Sequence, residues 1–284
     1  MLQQGGGFGA RRIAAGDHSI FFRCALASAA PSPAVVLVHG LGLSGRYMLP
    51  TARHLAPHFP VYVPDLPGFG GSSKPAKALD VPALADALAA WIRAIELAPA
   101  ALLGNSFGCQ VIADLGARHP DLVERAVLQG PTAPPEERSW SWQFVRWRQN
   151  QRFNPDSLAP ITRGDYRKCG YRRLLQTFRY QLKDPIEQKL PRIRAPVLVV
   201  RGQRDPICRL PWAAEMTRRL PQGRLVEIPA VAHTLVYTAP EQLARITRQF
   251  LEEGGRPPRA SARSTDGGSE SVRDRSSRLT RPRA

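Results

Sequence analysis

The sequence predicts an α/β fold, a parallel sheet with helices packed on both of its faces. Apolar runs of strand length alternate with helical patterns along most of the 284 residues. Several runs, Val35-Val36-Leu37-Val38 and Val197-Leu198-Val199-Val200 among them, are apolar without a break, as strands buried on both faces are. One run, Ala100-Ala101-Leu102-Leu103, leads through Gly104-Asn105-Ser106-Phe107-Gly108 directly into a helical pattern. Strand, G-x-S-x-G, helix is the setting in which that pentapeptide forms a nucleophile elbow, a sharp turn that lifts the serine above the sheet. Such a turn strains the serine backbone and leaves no room for side chains two residues away, hence the flanking glycines.

Residues 12–27 read as a hairpin turning at Gly16-Asp17. The buried strand over residues 33–40 ends in glycine, and a helix over 47–59 and a short strand, Val61-Tyr62-Val63-Pro64-Asp65, follow it. A helix over 82–97 has Pro82 suited to its first turn. The elbow helix runs from Cys109 to Arg118 and stops at His119-Pro120. Strands over 123–131, 196–202 and 224–229, with helices over 211–220 and 240–253, complete the alternation.

Residues 132–195 break it. They hold no strand-like apolar run but carry Trp140, Trp142, Phe144, Trp147, Phe153, Tyr166, Tyr171, Phe178 and Tyr180 among many arginines. Lying between two core strands, this segment predicts a helical cap roofing the elbow, with its aromatics mostly packed onto the core and a minority lining the substrate pocket. The expected organisation is a core in two parts (residues 10–131 and 196–253), a helical cap over 132–195, and a disordered basic tail over 254–284.

A hydrophobic fraction of 43% is that of an ordinary globular protein. No run of 18 or more apolar residues predicts a transmembrane helix, and the start of the chain lacks the pattern of a secretory signal. Cys24, Cys109, Cys169 and Cys208 sit far apart with no C-x-x-C pair, so reduced thiols in a cytoplasmic protein are expected, with neither zinc nor redox chemistry. The net charge of +17 is unevenly spread. Residues 136–195 hold 14 Arg or Lys against 6 acids, and residues 255–284 hold 8 Arg against 3 acids. No nucleic-acid-binding signature accompanies either segment, and no specific nucleic-acid partner is predicted. The tail reads as a solvated extension; loose attachment to nucleic acid or anionic lipid is the other reading of its charge.

A serine hydroxyl needs a base within hydrogen-bond reach, and the base needs a carboxylate to fix its tautomer. In an open parallel sheet such groups come from loops at the carboxyl ends of strands. Arg201-Gly202-Gln203-Arg204-Asp205-Pro206 places Asp205 just past one strand, and Ala230-Val231-Ala232-His233 places His233 past the next. Asp205 could instead cap the helix near Pro211. His54, His58, His119 and His18 lie in or beside helices or in the hairpin, which leaves His233 as the base. Gln129 ends another core strand where an alternative acid could sit, but it cannot ionise. Two backbone N–H groups are expected to hold the oxyanion: that of Phe107 at the helix start, and that of Leu41, between Gly40 and Gly42. His39 is expected to hydrogen-bond within that loop.

His39-Gly40-Leu41-Gly42, Asp65-Leu66-Pro67-Gly68-Phe69-Gly70-Gly71-Ser72, Gly104-Asn105-Ser106-Phe107-Gly108, Gly202-Gln203-Arg204-Asp205 and His233 together resemble the α/β-hydrolase superfamily over residues 12–253. The order Ser106, Asp205, His233 is that of the superfamily's catalytic triad. The resemblance implies the α/β-hydrolase fold, a mostly parallel eight-stranded central sheet with an antiparallel second strand, helices on both faces and a helical cap insert. It also implies that Asp65 belongs to a structural loop. Serine at the nucleophile argues against the haloalkane dehalogenase and epoxide hydrolase branches, which use aspartate. Gly104-Asn105-Ser106 with Leu128-Gln129-Gly130-Pro131 is similar to the carbon–carbon bond hydrolases of aromatic ring cleavage. Those enzymes carry a glycine-rich oxyanion loop and a tryptophan after the histidine, where this chain has Gly42-Leu43-Ser44-Gly45 and Thr234.

The expected function is therefore a serine hydrolase cleaving carboxylic ester or thioester bonds of a small acyl substrate, with no cofactor and no metal. Carbon–carbon cleavage and a ligand receptor on the same fold are the alternatives. The basic cap suggests substrates bearing a carboxylate or phosphate, against the plainer reading of a solvated arginine-rich face.

Overall fold

The uninterrupted apolar runs form the middle of one eight-stranded sheet. The computed structural model describes residues 7–26 and 33–253; the tail expected over 254–284 lies outside the described residues. The strands are β1 (Gly9–Ala15), β2 (His18–Ala25), β3 (Val35–Val38), β4 (Val61–Pro64), β5 (Ala100–Asn105), β6 (Val123–Gln129), β7 (Val197–Gly202) and β8 (Gly223–Ile228). Their spatial order is β1-β2-β4-β3-β5-β6-β7-β8. β2 is antiparallel to both neighbours, and every other pairing is parallel.

Helices α1 (Leu49–Leu55), α2 (Val81–Ala94) and α3 (Phe107–Arg118) follow β3, β4 and β5. Four helices, α4 (Trp140–Gln151), α5 (Ala159–Cys169), α6 (Tyr171–Lys183) and α7 (Ile186–Lys189), lie between β6 and β7. α8 (Leu210–Arg219) follows β7, and α9 (Leu235–Thr238) and α10 (Pro240–Glu252) follow β8.

Strand residues alternate between two cores, because successive side chains point to opposite faces. Val36, Val38, Leu102, Val197 and Val199 pack with α2, α3 and α8; Val35, Leu37, Leu103, Leu198 and Val200 pack with α1, α9 and α10. Each such side chain contributes roughly 1.5–3 kcal/mol relative to exposure. The sheet is thus fixed from both sides, and the loops at its carboxyl edge start from rigid ends. All four cysteines are buried and unpaired. Among the described residues no helix is long and apolar enough to cross a membrane.

Several expected boundaries shift. The helix expected over 82–97 begins under an Asp80 cap, whose carboxylate accepts the Ala83 N–H at 3.0 Å, and ends at Ala94. It stops because Glu96 adopts φ 56°, a left-handed conformation that cannot continue a helix. The helix expected over 47–59 becomes a 3-10 turn at Gly45–Met48 and then α1. The aromatic segment differs most. Trp140, Trp142, Phe144, Trp147, Phe153 and Tyr171 are all exposed instead of packing onto the core; on α4 the buried seam is occupied by Gln143 and Asn150.

Beyond β4, the fully buried Asp65 ties three segments together. Its Oδ1 accepts from Gly45 N–H at 2.7 Å and from the Arg23 guanidinium at 3.2 Å, and its Oδ2 accepts from Gly71 N–H at 2.8 Å. Gly70 packs so close that a Cβ there would lie 2.0 Å from Asp65 Oδ2. The role is structural, as the family resemblance implies. Asp65→Ala leaves the part-buried Arg23 guanidinium and the Gly45 and Gly71 amides without their acceptor, and is expected to lower unfolding free energy by about 3 kcal/mol in urea titration.

Candidate active site

The order of the sheet reverses around β3: the chain moves from β3 outward to β4, then returns to pair β5 on the other side. The crevice beyond the carboxyl ends of β3 and β5 is the place where such a sheet binds ligands. Val38 pairs with Gly104 and Asn105 with Gln129, so Ser106 emerges one residue past the end of β5, beside the end of β6.

Ser106 has φ 54° and ψ −116°, the strained conformation expected of an elbow. The flanking glycines are required by contact. A Cβ on Gly108 would lie 2.4 Å from Val38 O, and one on Gly104 would lie 2.8 Å from Ile112 Cδ1. Ser106 N–H donates to Gln129 O at 3.0 Å, and Cys109 N–H donates to Ser106 O at 2.9 Å.

Asp205 and His233 meet. The imidazole Nδ1 lies 2.9 Å from Asp205 Oδ2, while Asp205 Oδ1 accepts the Ile207 and Cys208 amides at 2.8 and 2.9 Å. Asp205 therefore orients the histidine and closes its own turn; it does not cap α8, whose N-cap is Arg209. With Nδ1–H given to the carboxylate, Nε2 is the nitrogen left free. Gly130, at φ 55°, makes room for the pair: a Cβ there would sit 3.0 Å from His233 Nδ1 and 3.2 Å from Asp205 Oδ2. Among the described residues the Ser106 hydroxyl is not hydrogen-bonded to the imidazole. The two are joined through Gln129, which holds Ser106 by its carbonyl and His233 by its side chain.

That link belongs to a buried chain of amides that sequence reasoning missed. The Tyr47 hydroxyl donates to Asn105 Oδ1, Asn105 Nδ2 donates to Gln129 Oε1 at 2.6 Å, and Gln129 Nε2 donates to His233 O at 2.9 Å. Gln129 is thus a bridge, where the sequence reading weighed it as a non-ionising occupant of an acid's position. A third support comes from α4, where Asn150 Oδ1 accepts His233 N–H at 3.2 Å and Asn150 Nδ2 donates to Thr234 Oγ1 at 3.3 Å. The available signal was an amide ending an apolar strand, which is costly to bury unpartnered.

The β3 loop carries Leu41, half-buried against the core. Gly42 beside it has φ 71°, and a Cβ there would strike Leu174 Cδ1 at 2.5 Å and the Tyr166 ring at 2.9 Å. The helices between β6 and β7 therefore press on this loop. His39 locks the loop from below: Leu66 N–H donates to its Nε2 at 3.0 Å, which leaves Nδ1–H to donate to Gly40 O at 2.9 Å. Burial, the largest influence, pushes this imidazole below its usual 6.5, against the opposing pull of Asp65 and the Gly40 carbonyl.

An eight-stranded, mostly parallel sheet with helices on both faces and a strained serine elbow after its central strand defines the α/β-hydrolase class of folds. The chain belongs to the alpha/beta hydrolase family, whose model matches residues 35–246. A pimeloyl-[acyl-carrier protein] methyl ester esterase of Neisseria meningitidis (serogroup B / serotype 15) is 30% identical over 249 residues, covering 78% of this chain and 93% of that protein. An esterase of the same name from Chromobacterium violaceum is 28% identical over 246 residues, covering 78% and 94%. Among solved structures, a bacterial membrane phospholipase A superposes with TM-score 0.75 at 27% identity, over 87% of this chain and 86% of that one. A thermophilic esterase from Thermogutta terrifontis, 23% identical, shares the fold with TM-score 0.72 over 86% of this chain and 98% of its own.

His39 is neutral in the folded protein, and in the unfolded chain it takes up a proton near 6.5. Its contribution to stability is complete above that value and is lost as pH falls through the window below it. Urea midpoints measured at about pH 7.5 and about pH 5.5 are expected to fall with acidification, and His39→Gln is expected to flatten the fall. An unchanged pH slope in the variant would contradict the assignment.

Proposed function

We propose that the chain is a serine hydrolase of carboxylic esters, in which Ser106 is the nucleophile, His233 the general base and acid, and Asp205 the residue that orients it. The observation that carries this reading is the 2.9 Å contact between Asp205 Oδ2 and His233 Nδ1 beside the strained Ser106 elbow. Asp205 holds the tautomer in which Nε2 accepts a proton, and it stabilises the imidazolium that results. Ser106 Oγ attacks the acyl carbon as His233 Nε2 takes its proton. The carbonyl oxygen, now negative, receives the N–H of Phe107, the first residue of α3, whose amide has no partner within the helix. The Leu41 N–H, in the loop bent by Gly42, is the second donor, each such donor being worth roughly 3 kcal/mol at the transition state. His233 then protonates the departing alcohol, activates water, and the acyl-enzyme is cleaved.

The relatives named as pimeloyl-[acyl-carrier protein] methyl ester esterases support ester over carbon–carbon cleavage, and direct attention to methyl esters of acyl chains. Thioesters would be cleaved by the same groups. Thr234, next to His233, is already engaged by Asn150 and Asn154, at 3.3 and 2.7 Å. A cytoplasmic setting, where buried thiols stay reduced, fits the four unpaired cysteines.

Ser106→Ala is expected to lower kcat on a short p-nitrophenyl ester by at least about 10⁴-fold with an unchanged melting temperature. Undiminished turnover in the folded variant would remove the mechanism. Asp205→Asn, which reverses the tautomer while keeping the shape, is expected to cost about 10⁴-fold in kcat with little change in KM. A methyl-ester panel with free, carboxylated and carrier-borne acyl chains reads the substrate class.

A further inference from the structure

Helix α4 carries its polarity the wrong way round. Its buried positions are Gln143 and Asn150, while Trp140, Trp142, Phe144, Val145 and Trp147 are 41–61% exposed. The inward amides are accounted for: Gln143 donates to Glu137 O at 2.9 Å, and Asn150 holds His233 and Thr234. The outward set is not covered by the rest of the described chain. Phe178 of α6 meets Trp140 edge-on, ring centroids 4.6 Å apart, and Trp140 is still 46% exposed. Contiguous exposed aromatics of this size mark an interaction surface.

The pattern of the face says what covers it. Trp140, Phe144 and Trp147, spaced i, i+4, i+7, form one stripe, and Val145, Arg148 and Arg152 form the next. Phe144, Val145, Arg148 and Arg152 line a shallow groove of about 480 Å³. Residues 140–153 include three Arg and no Asp or Glu. Arg146 is committed to Glu137 at 3.0 Å and lies over the Trp142 ring; Arg148 and Arg152 make no ion pair among the described residues.

A second copy of the chain, docked by the same face, would bring Arg148 and Arg152 toward their own images. Residues 255–284, with 8 Arg against 3 acids, carry the same sign of charge as this face and are a poor match for it. Two free guanidinium groups are few for a nucleic-acid backbone, which needs many phosphate contacts. Tryptophan and phenylalanine flanked by arginine are what the headgroup region of an anionic bilayer takes up: ring bodies enter the acyl boundary while guanidinium groups pair with phosphate. We infer that α4 docks the protein on an anionic phospholipid surface, with Trp140, Phe144 and Trp147 entering the interface and Arg148 and Arg152 pairing with lipid phosphates. Docking on this face is independent of what the site hydrolyses.

The test uses the full chain and sedimentation with unilamellar vesicles of phosphatidylcholine, alone or mixed with phosphatidylglycerol. Binding to the anionic vesicles is expected to be at least about tenfold tighter than to the neutral ones, and to weaken as salt is raised. Phe144→Ser with Trp147→Ser is expected to weaken it by about tenfold or more, and Arg148→Glu with Arg152→Glu to abolish the preference for anionic lipid. Both variants should keep the wild-type circular dichroism and soluble-ester turnover, since the four positions lie outside the site. No sedimentation with anionic vesicles overturns the inference. So does unchanged binding by both variants, which would assign the attraction to the basic segment over 255–284. A dimer in sedimentation velocity that the aromatic variant dissolves would give the face to a second copy, and an oligonucleotide bound more tightly than the vesicles and released by the same variants would give it to nucleic acid.

Discussion

Ser106 sits at φ 54° and ψ −116°, a conformation that costs a non-glycine residue about 1–3 kcal/mol and survives only where its surroundings forbid relaxation. Those surroundings are specific. Gly108 is pressed against the carbonyls of Val38 and His39, so α3 cannot slide along β3. Ser106 N–H is anchored on β6 through Gln129 O, and the Asn105 side chain, one residue earlier, is gripped between Tyr47 and Gln129. Three strands and the turn before α1 therefore share the strain. Any substitution that loosens one of them lets the serine fall back toward ordinary helix geometry, and its hydroxyl then leaves the edge of the sheet.

The same amides set the position of the histidine. The His233 loop is held from three directions: its ring by Asp205, its carbonyl by Gln129, and its amide by Asn150. Gln129 thus holds both residues, Ser106 by its backbone and His233 by its side chain. A buried network of this kind is worth keeping only when fully satisfied, and here each amide atom in it has a partner. Asn150 brings in a helix from between β6 and β7, and Leu174 and Tyr166 of that segment bear on Gly42 beside Leu41. The inserted helices consequently touch both the His233 loop and the loop of Leu41.

Much of this was legible in the chain. The parallel strands announced themselves as unbroken apolar runs, because burial on both faces removes the alternation that would otherwise blur them. The elbow was legible since only glycine fits at Gly104 and Gly108, and the loops of Asp205 and His233 could be placed by the strand ends before them. What escaped was set by contacts between distant segments. Nothing local shows that Glu96 turns left-handed and ends α2, or that Gln129 reaches across to His233. The aromatics between residues 140 and 153 misled for a related reason: composition indicates what would gain from burial, but not which residues the neighbouring elements require on the inside.

In α4 that requirement is explicit. Gln143 and Asn150 stand seven residues apart, within about 20° of each other around the helix, so one seam delivers both. Phe144 lies about 100° away on the same wheel, and rolling it inward would carry Asn150 off the His233 amide. That roll would gain the burial of an aromatic ring, worth roughly 1.5–3 kcal/mol, but would strand the buried His233 N–H at roughly 1–3 kcal/mol and leave the Thr234 hydroxyl with Asn154 alone. The two sides are close in free energy, and the histidine tips them. A helix whose orientation is set by the His233 loop has no freedom left to hide its other face, so the exposure of Trp140, Phe144 and Trp147 follows from the demand that keeps His233 in place.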